Sequence, residues 1–357
     1  MKLIVAVPAT VLLLLRAYRR NSLTTPGLVI AGLTATTHAL HPSALAFTLL
    51  GVFFLLGTQA TRVKHDIKAG LTLSASGHAG GEGPRTSTQV LANSGAASIL
   101  CLVHVFRYGI GTALPDFGQD RFSDLVLVGI ICNYVSVTAD TLSSELGILS
   151  PGLPRLITNP LRTVPRGTNG GVTAGGIWYG YVGSLVIALT SLFFIPFSSS
   201  PNSTHYTIQY KTLFVVALSL WGALGSLLDS LLGALLQASV IDRRTGKIVE
   251  APGGIKVLTE ATAISSEPSS SSPSSATTTS TPSKPAILRS TKTGKEVELK
   301  PKPQHERQHS RQINTGRDIL DNNQVNFLMA STMTMWGMAI AAGLWGVDLD
   351  GLLLPAA

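Results

Sequence analysis

The sequence is short of charge. Only 13% of its 357 residues are Asp, Glu, Lys or Arg, about half the share in a soluble domain. So few ionic groups cannot clothe a water-exposed surface of this size, and composition points to a protein dissolved in lipid. Cysteine is scarcer still. Cys101 and Cys132 are the only two, each inside an apolar run; they make no zinc site and carry no information on redox compartment. No Cys/His cluster and no Ser-His-Asp set is recognisable. The glycine-rich segment from Gly77 to Gly83 lacks a Gly-Lys-Ser/Thr ending, which excludes a Walker A phosphate loop and leaves a flexible connection. The net charge of +8 is no nucleic-acid signature, because most of the cations sit in loops between apolar runs, where they set topology.

Eight such runs are present. Met1 to Leu15 precedes Arg16, Arg19 and Arg20. A signal peptide carries its charge before the apolar run, so this is read as a short first span, with a cleaved signal as the alternative. Pro26 to Leu40 and Ser43 to Ala60, joined by His41-Pro42, read as a helical hairpin; His38 and His41 are expected to be structural. Further spans run from about Val90 to Phe106, Phe122 to Gly147, Val172 to Phe197, Leu213 to Gln237 and Gln324 to Val347. Each later span is close to the roughly twenty residues a bilayer needs. The expected fold is an all-α, polytopic transmembrane bundle of about eight spans, seven being the alternative. Odd-numbered loops hold 23 of the 27 Lys and Arg, and even-numbered loops hold 3. That asymmetry puts the odd loops in the cytosol and both termini outside or in the lumen of an endomembrane such as the endoplasmic reticulum. The sequon at Asn202 falls on the expected lumenal side.

Three regions follow: residues 1–240, with seven spans and a cytosol-facing polar site; 241–318, a largely disordered cytosolic loop; and 319–357, the last span and a short tail. Within the loop, Ser265 to Ser283 is nearly all Ser, Thr and Pro and cannot bury a core. The basic residues from Lys284 to Arg317 are a solvated linker or lie against anionic headgroups.

One stretch concentrates the chemistry, Thr138 to Gly171. Asp140 and Glu145 end an apolar run, where a carboxylate is expensive and marks a site. Four prolines then break the helix. Arg155, Arg162 and Arg166 follow, with Gly167, Asn169, Gly170 and Gly171 closing the loop. Fixed cations and backbone N–H groups that can approach an anion suit phosphate. In the seventh span, Gly222, Ser226, Ser230 and Ala234 recur every fourth residue, a close-packing face. Asp229 lies on that tight side, as a structural carboxyl or as a third member of the acidic site.

Several blocks carry a resemblance: QVLANSG from Gln89, TADTLSSELGILS from Thr138, PRLIT from Pro154, VPRGTNGGVT from Val164, GSLLDSLLGALLQ from Gly225 and ILDNNQVN from Ile319. In these, in their order and across most of its length, the chain resembles the transmembrane protein 19 family of integral membrane proteins. The Ser/Thr/Pro tract departs from the pattern as an insertion, and Ser94 stands where many relatives carry glycine. One plant branch of the family is associated with phytyl-phosphate kinase activity, and the resemblance implies a prenyl- or lipid-phosphate kinase using a nucleoside triphosphate. The residues fit that chemistry, which needs positioning and charge neutralisation more than a strong base. Asp140, Glu145 and Asp229 are the candidate catalytic and Mg²⁺-binding carboxylates. Arg85, Arg155, Arg162, Arg166, Gly167, Asn169, Gly170 and Gly171 are the candidate phosphate ligands, the glycines standing at a helix start. Gln89, Asn93, Asp321, Asn322 and Asn323 are supporting polar groups. A transporter or a lipid- and anion-handling protein with a polar site between broken helices stays open, as does a scaffold without catalysis. The bilayer is the one firm partner; no nucleic acid is expected, and the oligomeric state is open.

Overall fold

The computed structural model describes residues 3–76, 78–81, 83–111, 115–195, 197, 208–257, 288–289, 296–297 and 310–347. The Asn202 sequon, the Ser/Thr/Pro tract and the middle of the basic segment lie outside the described residues.

All eight expected helices are present, within a few residues of their sequence-derived ends: α1 (Leu3–Arg19), α2 (Thr25–Leu40), α3 (Ala44–Arg62), α5 (Ser87–Tyr108), α6 (Arg121–Gly147), α7 (Ala174–Leu192), α8 (Ile208–Leu236) and α9 (Asn322–Trp345). A short α4 (His65–Leu71) was not anticipated. Six helices, all but α1, α2 and α4, are long and apolar enough to cross a membrane. With 17 and 16 residues, α1 and α2 rise about 25 Å, short of the roughly 30 Å hydrocarbon core.

Polar side chains fix where the helices begin. Thr86 with Gln89, and Asp321 with Gln324, form reciprocal capping boxes at the starts of α5 and α9. Thr24, Ser43, Asp120 and Thr173 each accept a backbone N–H in the first turn of their helices.

The bundle is built around α6. Its apolar span is almost entirely enclosed by protein, with α3, α5, α7, α8 and α9 packed against it. The small residues of α8 allow the closest approach. A Cβ on Gly222 would stand 2.4 Å from Ser184 Cβ and 2.6 Å from Val135 O, and one on Gly225 would stand 2.7 Å from Ser136 Cβ. Backbone contact this tight supplies the dispersion that holds helices together in lipid, where apolar burial gives no net drive. Polar bonds supplement it: Ser184 Oγ donates to Ser219 O at 2.8 Å, and Trp221 Nε1 donates to Met333 O at 3.2 Å.

The loops segregate by parity. At one end, Arg62 of loop 3–4 donates to Arg20 O of loop 1–2, and Arg85 N donates to Ser22 O. The same end carries small sheets that the sequence reading did not foresee. One has the order β1-β6-β5-β9, from β1 (Leu73–Ser74), β5 (Ser239–Asp242), β6 (Lys247–Glu250) and β9 (Arg311–Thr315). The other, β3-β2-β4, is built within loop 5–6 from β2 (Arg155–Leu156), β3 (Asn159–Thr163) and β4 (Gly171–Val172). Both margins of the region 241–318 are therefore folded. A two-residue ribbon pairs β7 (Leu288–Arg289) with β8 (Glu296–Val297). At the opposite end, Phe117 meets Phe197 and Trp345, and His41 stacks on His104 at 4.4 Å.

Candidate functional site

A cavity of about 490 Å³ opens at the end of the bundle where the odd-numbered loops gather. Its floor is formed by the last turns of α6 and α8 and the first turns of α5 and α9. Its rim is formed by α4, the loop from Arg166 to Thr173 and the four-stranded sheet.

Asp140 of α6 and Asp229 of α8 meet at the floor, their carboxyl groups sharing a hydrogen bond. With its amide nitrogen turned toward acceptors, Asn326 of α9 donates to Asp229 Oδ1 at 3.1 Å and to Asn322 O at 3.0 Å. Three helices thus converge on one carboxylate pair. Two carboxyl groups in contact require a proton or a cation between them.

Glu145 lines the same cavity but faces another partner. Lys68 of α4 pairs with it and also donates to Ala60 O at 3.0 Å, while Thr61 Oγ1 donates to Glu145 Oε1 at 2.7 Å. The Lys68 and Glu145 side chains are only 8% and 10% exposed. The three candidate carboxylates therefore divide into a facing pair and one member of a buried ion pair. Among the described residues no group of three His, Cys, Asp or Glu side chains gathers as a metal site. Two carboxylates remain a fit for Mg²⁺, which takes one or two from protein and fills its octahedron with water and phosphate oxygens.

The candidate phosphate ligands also divide. Arg85 lies at the cavity wall with its guanidinium against α3; a Cβ on Gly57 would stand 2.9 Å from Nη2 and 3.0 Å from Nη1. Among the described residues its side chain has no hydrogen bond and no ion pair. Arg166 also lines the cavity, but its guanidinium donates to Ile148 O and to Pro151 O, tying the loop to the end of α6. Arg155 and Arg162 stand on exposed faces of β2 and β3, away from the cavity lining, and Arg155 bonds Pro160 O at 2.8 Å.

Gly167, Asn169, Gly170 and Gly171 all line the cavity, and several of their donors are engaged within the protein. Asn169 N donates to Ser239 Oγ at 2.9 Å, Asn169 Nδ2 to Ala238 O at 3.2 Å, and Gly171 N to Thr168 O at 2.9 Å. Gly170, at φ +76°, sits where a Cβ would meet Ala234 Cβ at 2.4 Å and Ser230 O at 2.7 Å. It lets the loop lie directly on α8, close to Asp229.

Of the supporting residues, Gln89, Asn93, Asp321 and Asn322 line the cavity. Gln89 and Asp321 are also occupied as helix caps. Asn323 turns aside, donating to Gly253 O at 2.8 Å. The sequence reading missed Lys68, Asn326, Glu250 and Lys256, all at or near the cavity wall. The signal for Asn326 was its place four residues after Asn322, on the same helix face. Lys68 offered none, because a single lysine in an odd-numbered loop reads as topology. Glu250 accepts from Thr72 Oγ1 at 3.1 Å, and Lys256 pairs with Asp318 at 3.1 Å, closing the rim over the start of α9.

A bundle of long apolar helices with a polar cavity at one end defines a polytopic membrane protein. The chain belongs to the integral membrane protein DUF92 family, whose model matches residues 8–334. It is 37% identical to Protein PGR of Arabidopsis thaliana over 253 residues, 71% of this chain and 85% of that one. It is 29% identical to Uncharacterized membrane protein MJ0933 of Methanocaldococcus jannaschii over 209 residues, 58% of this chain and 72% of that one. Protein VTE6, chloroplastic, also of Arabidopsis thaliana, is 28% identical over 173 residues, which is 48% of each chain. The chain thus spans about half of that last relative. No solved structure matches.

Proposed function

We propose that this protein is a lipid-phosphate kinase that transfers the γ-phosphoryl group of a nucleoside triphosphate to a prenyl monophosphate. The observation that carries the reading is the contact between Asp140 and Asp229 on the floor of a cavity that also holds the unpaired Arg85. In the reaction, an oxygen of the monophosphate bonds to the γ-phosphorus. The bond from that phosphorus to the β–γ bridging oxygen breaks, leaving a diphosphate and a nucleoside diphosphate. The acceptor is already anionic, so the protein's task is to hold two anions together and neutralise them. Asp140 and Asp229 would hold Mg²⁺, which would supply positive charge to neutralise the phosphates. Arg85 would clamp the acceptor phosphate, and Asn326 would fix the orientation of Asp229. The family's association with phytyl-phosphate kinase activity supports the same chemistry. The lysine and arginine excess of the odd loops supports a cytosolic aspect for the cavity, where nucleotide is available, in an endomembrane with both termini lumenal.

The test is phosphotransfer by the purified full chain in detergent, with Mg²⁺, labelled ATP or CTP, and a panel of prenyl monophosphates. Wild type is expected to yield the diphosphate, and Asp140→Asn to lose at least about two orders of magnitude in rate. No product across the panel from folded protein overturns the kinase and selects transport of phosphorylated lipids or anions, measured as flux into liposomes.

A further inference from the structure

The polar cavity does not end at Arg85. A second, narrow cleft of about 70 Å³ runs between α1, α2, α3 and α5. Leu13, Leu14, Ala35, Gly51, Phe53 and Phe54 are among its walls, and its lining is almost wholly apolar. Arg85, Gln89 and Asn93 line both spaces. The cleft has a packing cause. α3 and α5 barely touch, because α2 packs along α5 and α1 along α2. Gly51 contributes no side chain to fill the gap that results.

We infer that this cleft holds the first segment of the substrate's apolar chain, with the attached phosphate at Arg85 and the remaining chain passing into the bilayer. This rests on the kinase reading of the polar cavity and adds the side from which the acceptor enters and the shape it must have. The charge argument is direct. Arg85 stands at the junction of a polar and an apolar space with no protein counter-ion among the described residues. The ligand that satisfies both sides is an anion bonded to a hydrocarbon. The width argument narrows it further, because a cleft of this volume takes one chain. A prenyl monophosphate meets that condition, and the paired tails of a bulk phospholipid do not. Away from the Arg85 end the exposed wall is apolar and favours hydrocarbon over ordered water.

Gly51 offers a way to block the cleft. A Cβ there meets Leu13 Cδ1 at 3.8 Å, ordinary contact, so Gly51→Leu extends into the space without forcing the backbone. Binding of geranylgeranyl monophosphate and of methyl phosphate, which lacks the segment the cleft would hold, is measured on full-length protein in phosphatidylcholine nanodiscs, without nucleotide. Wild type is expected to bind geranylgeranyl monophosphate at least about tenfold more tightly than methyl phosphate. Gly51→Leu is expected to lose that advantage and bind methyl phosphate as wild type does. A geranylgeranyl monophosphate bearing a diazirine in its first isoprene unit should label α1 or α3 in wild type, a readout independent of the variant's folding. Equal affinity for the two phosphates in wild type, full geranylgeranyl monophosphate affinity in Gly51→Leu, or labelling confined to α7 and α8 overturns the inference and leaves the cleft to bulk lipid. Phosphotransfer across the prenyl monophosphate panel separates the two readings. Its absence removes the kinase, while the binding measurement still judges the cleft.

Discussion

Replacing Lys68 by methionine tests whether the buried ion pair with Glu145 is a structural clamp on the cavity wall. The substitution keeps most of the aliphatic stem and removes the ammonium, leaving the carboxylate with Thr61 alone. Removing one partner of a buried pair costs about 3–5 kcal/mol, most of it the penalty of an uncompensated charge. Two features set the expectation at the lower end: both side chains keep a little solvent access along the cavity, 8% and 10%, and the Thr61 bond survives. The lost bond from Lys68 to Ala60 O adds about 1 kcal/mol. The total of about 4 kcal/mol corresponds to a drop of about 8 °C in Tm at about 2 °C per kcal/mol. The protein supplies its own assay, since both cysteines are buried, Cys101 at 0% and Cys132 at 3% exposure. A thiol-reactive fluorophore reports their release on heating in detergent. Lys68→Met combined with Glu145→Gln removes the stranded charge and should recover at least half of the loss. A single variant within about 1 °C of wild type, or a double variant no better than the single, refutes the clamp. Glu145→Gln with near-normal stability but abolished phosphotransfer would instead return Glu145 to the metal.

Two further expectations concern the ligands. Mg²⁺ at a hundredfold excess over its Kd should stabilise wild type by about 2.7 kcal/mol, raising its Tm in the same assay by about 5 °C. It should leave Asp140→Asn/Asp229→Asn unmoved, and equal stabilisation of both would remove the metal from this pair. Arg85→Met should raise KM for the acceptor at least about tenfold, whereas Arg162→Ala on the exposed strand should change neither KM nor kcat. The opposite ranking in steady-state kinetics would show that the loop arginines, and not Arg85, receive phosphate.

The helices were legible because each is a long apolar run with a polar cap, and membrane burial makes that pattern hard to disguise. The parity of the loops was legible too, since the lysines and arginines accumulate on alternate connections and the structure gathers those connections at one end. The small sheets were not. Their strands are two to five residues long, too short for alternation to rise above the background, and the parallel pairing of β1 with β6 joins residues about 175 positions apart. The acidic site was half legible. Asp140, Glu145 and Asp229 stood out because each interrupts or ends an apolar helix. Which two would meet depended on helix rotation, and on a lysine that looked like topology. Grouping Arg155, Arg162 and Arg166 by nearness in sequence misled for a related reason. The segment folds into β3-β2-β4, which turns the first two outward and spends Arg166 on carbonyl oxygens.

The position of the carboxylate pair bears on what the cavity is for. Two carboxyl groups in contact cannot both stay ionised without a cation between them, so a purely structural role would be served better by two amides. Glu145 shows how this fold builds a structural carboxylate: a lysine and a threonine satisfy it from neighbouring elements. Asp140 and Asp229 instead meet each other, and the Asn326 amide donates to Asp229 at the floor of the cavity. Arg85, which lines both the cavity and the apolar cleft, stands where an anion on a hydrocarbon tail would bring its phosphate. On the proposed reading, a divalent cation on the acidic pair and a phosphate at the arginine would bring opposite charge to both sets of groups at once. The same fold thus contains a carboxylate held by a lysine and, a turn or so away, two carboxylates that meet each other at a cavity floor, and that contrast is what the kinase proposal builds on.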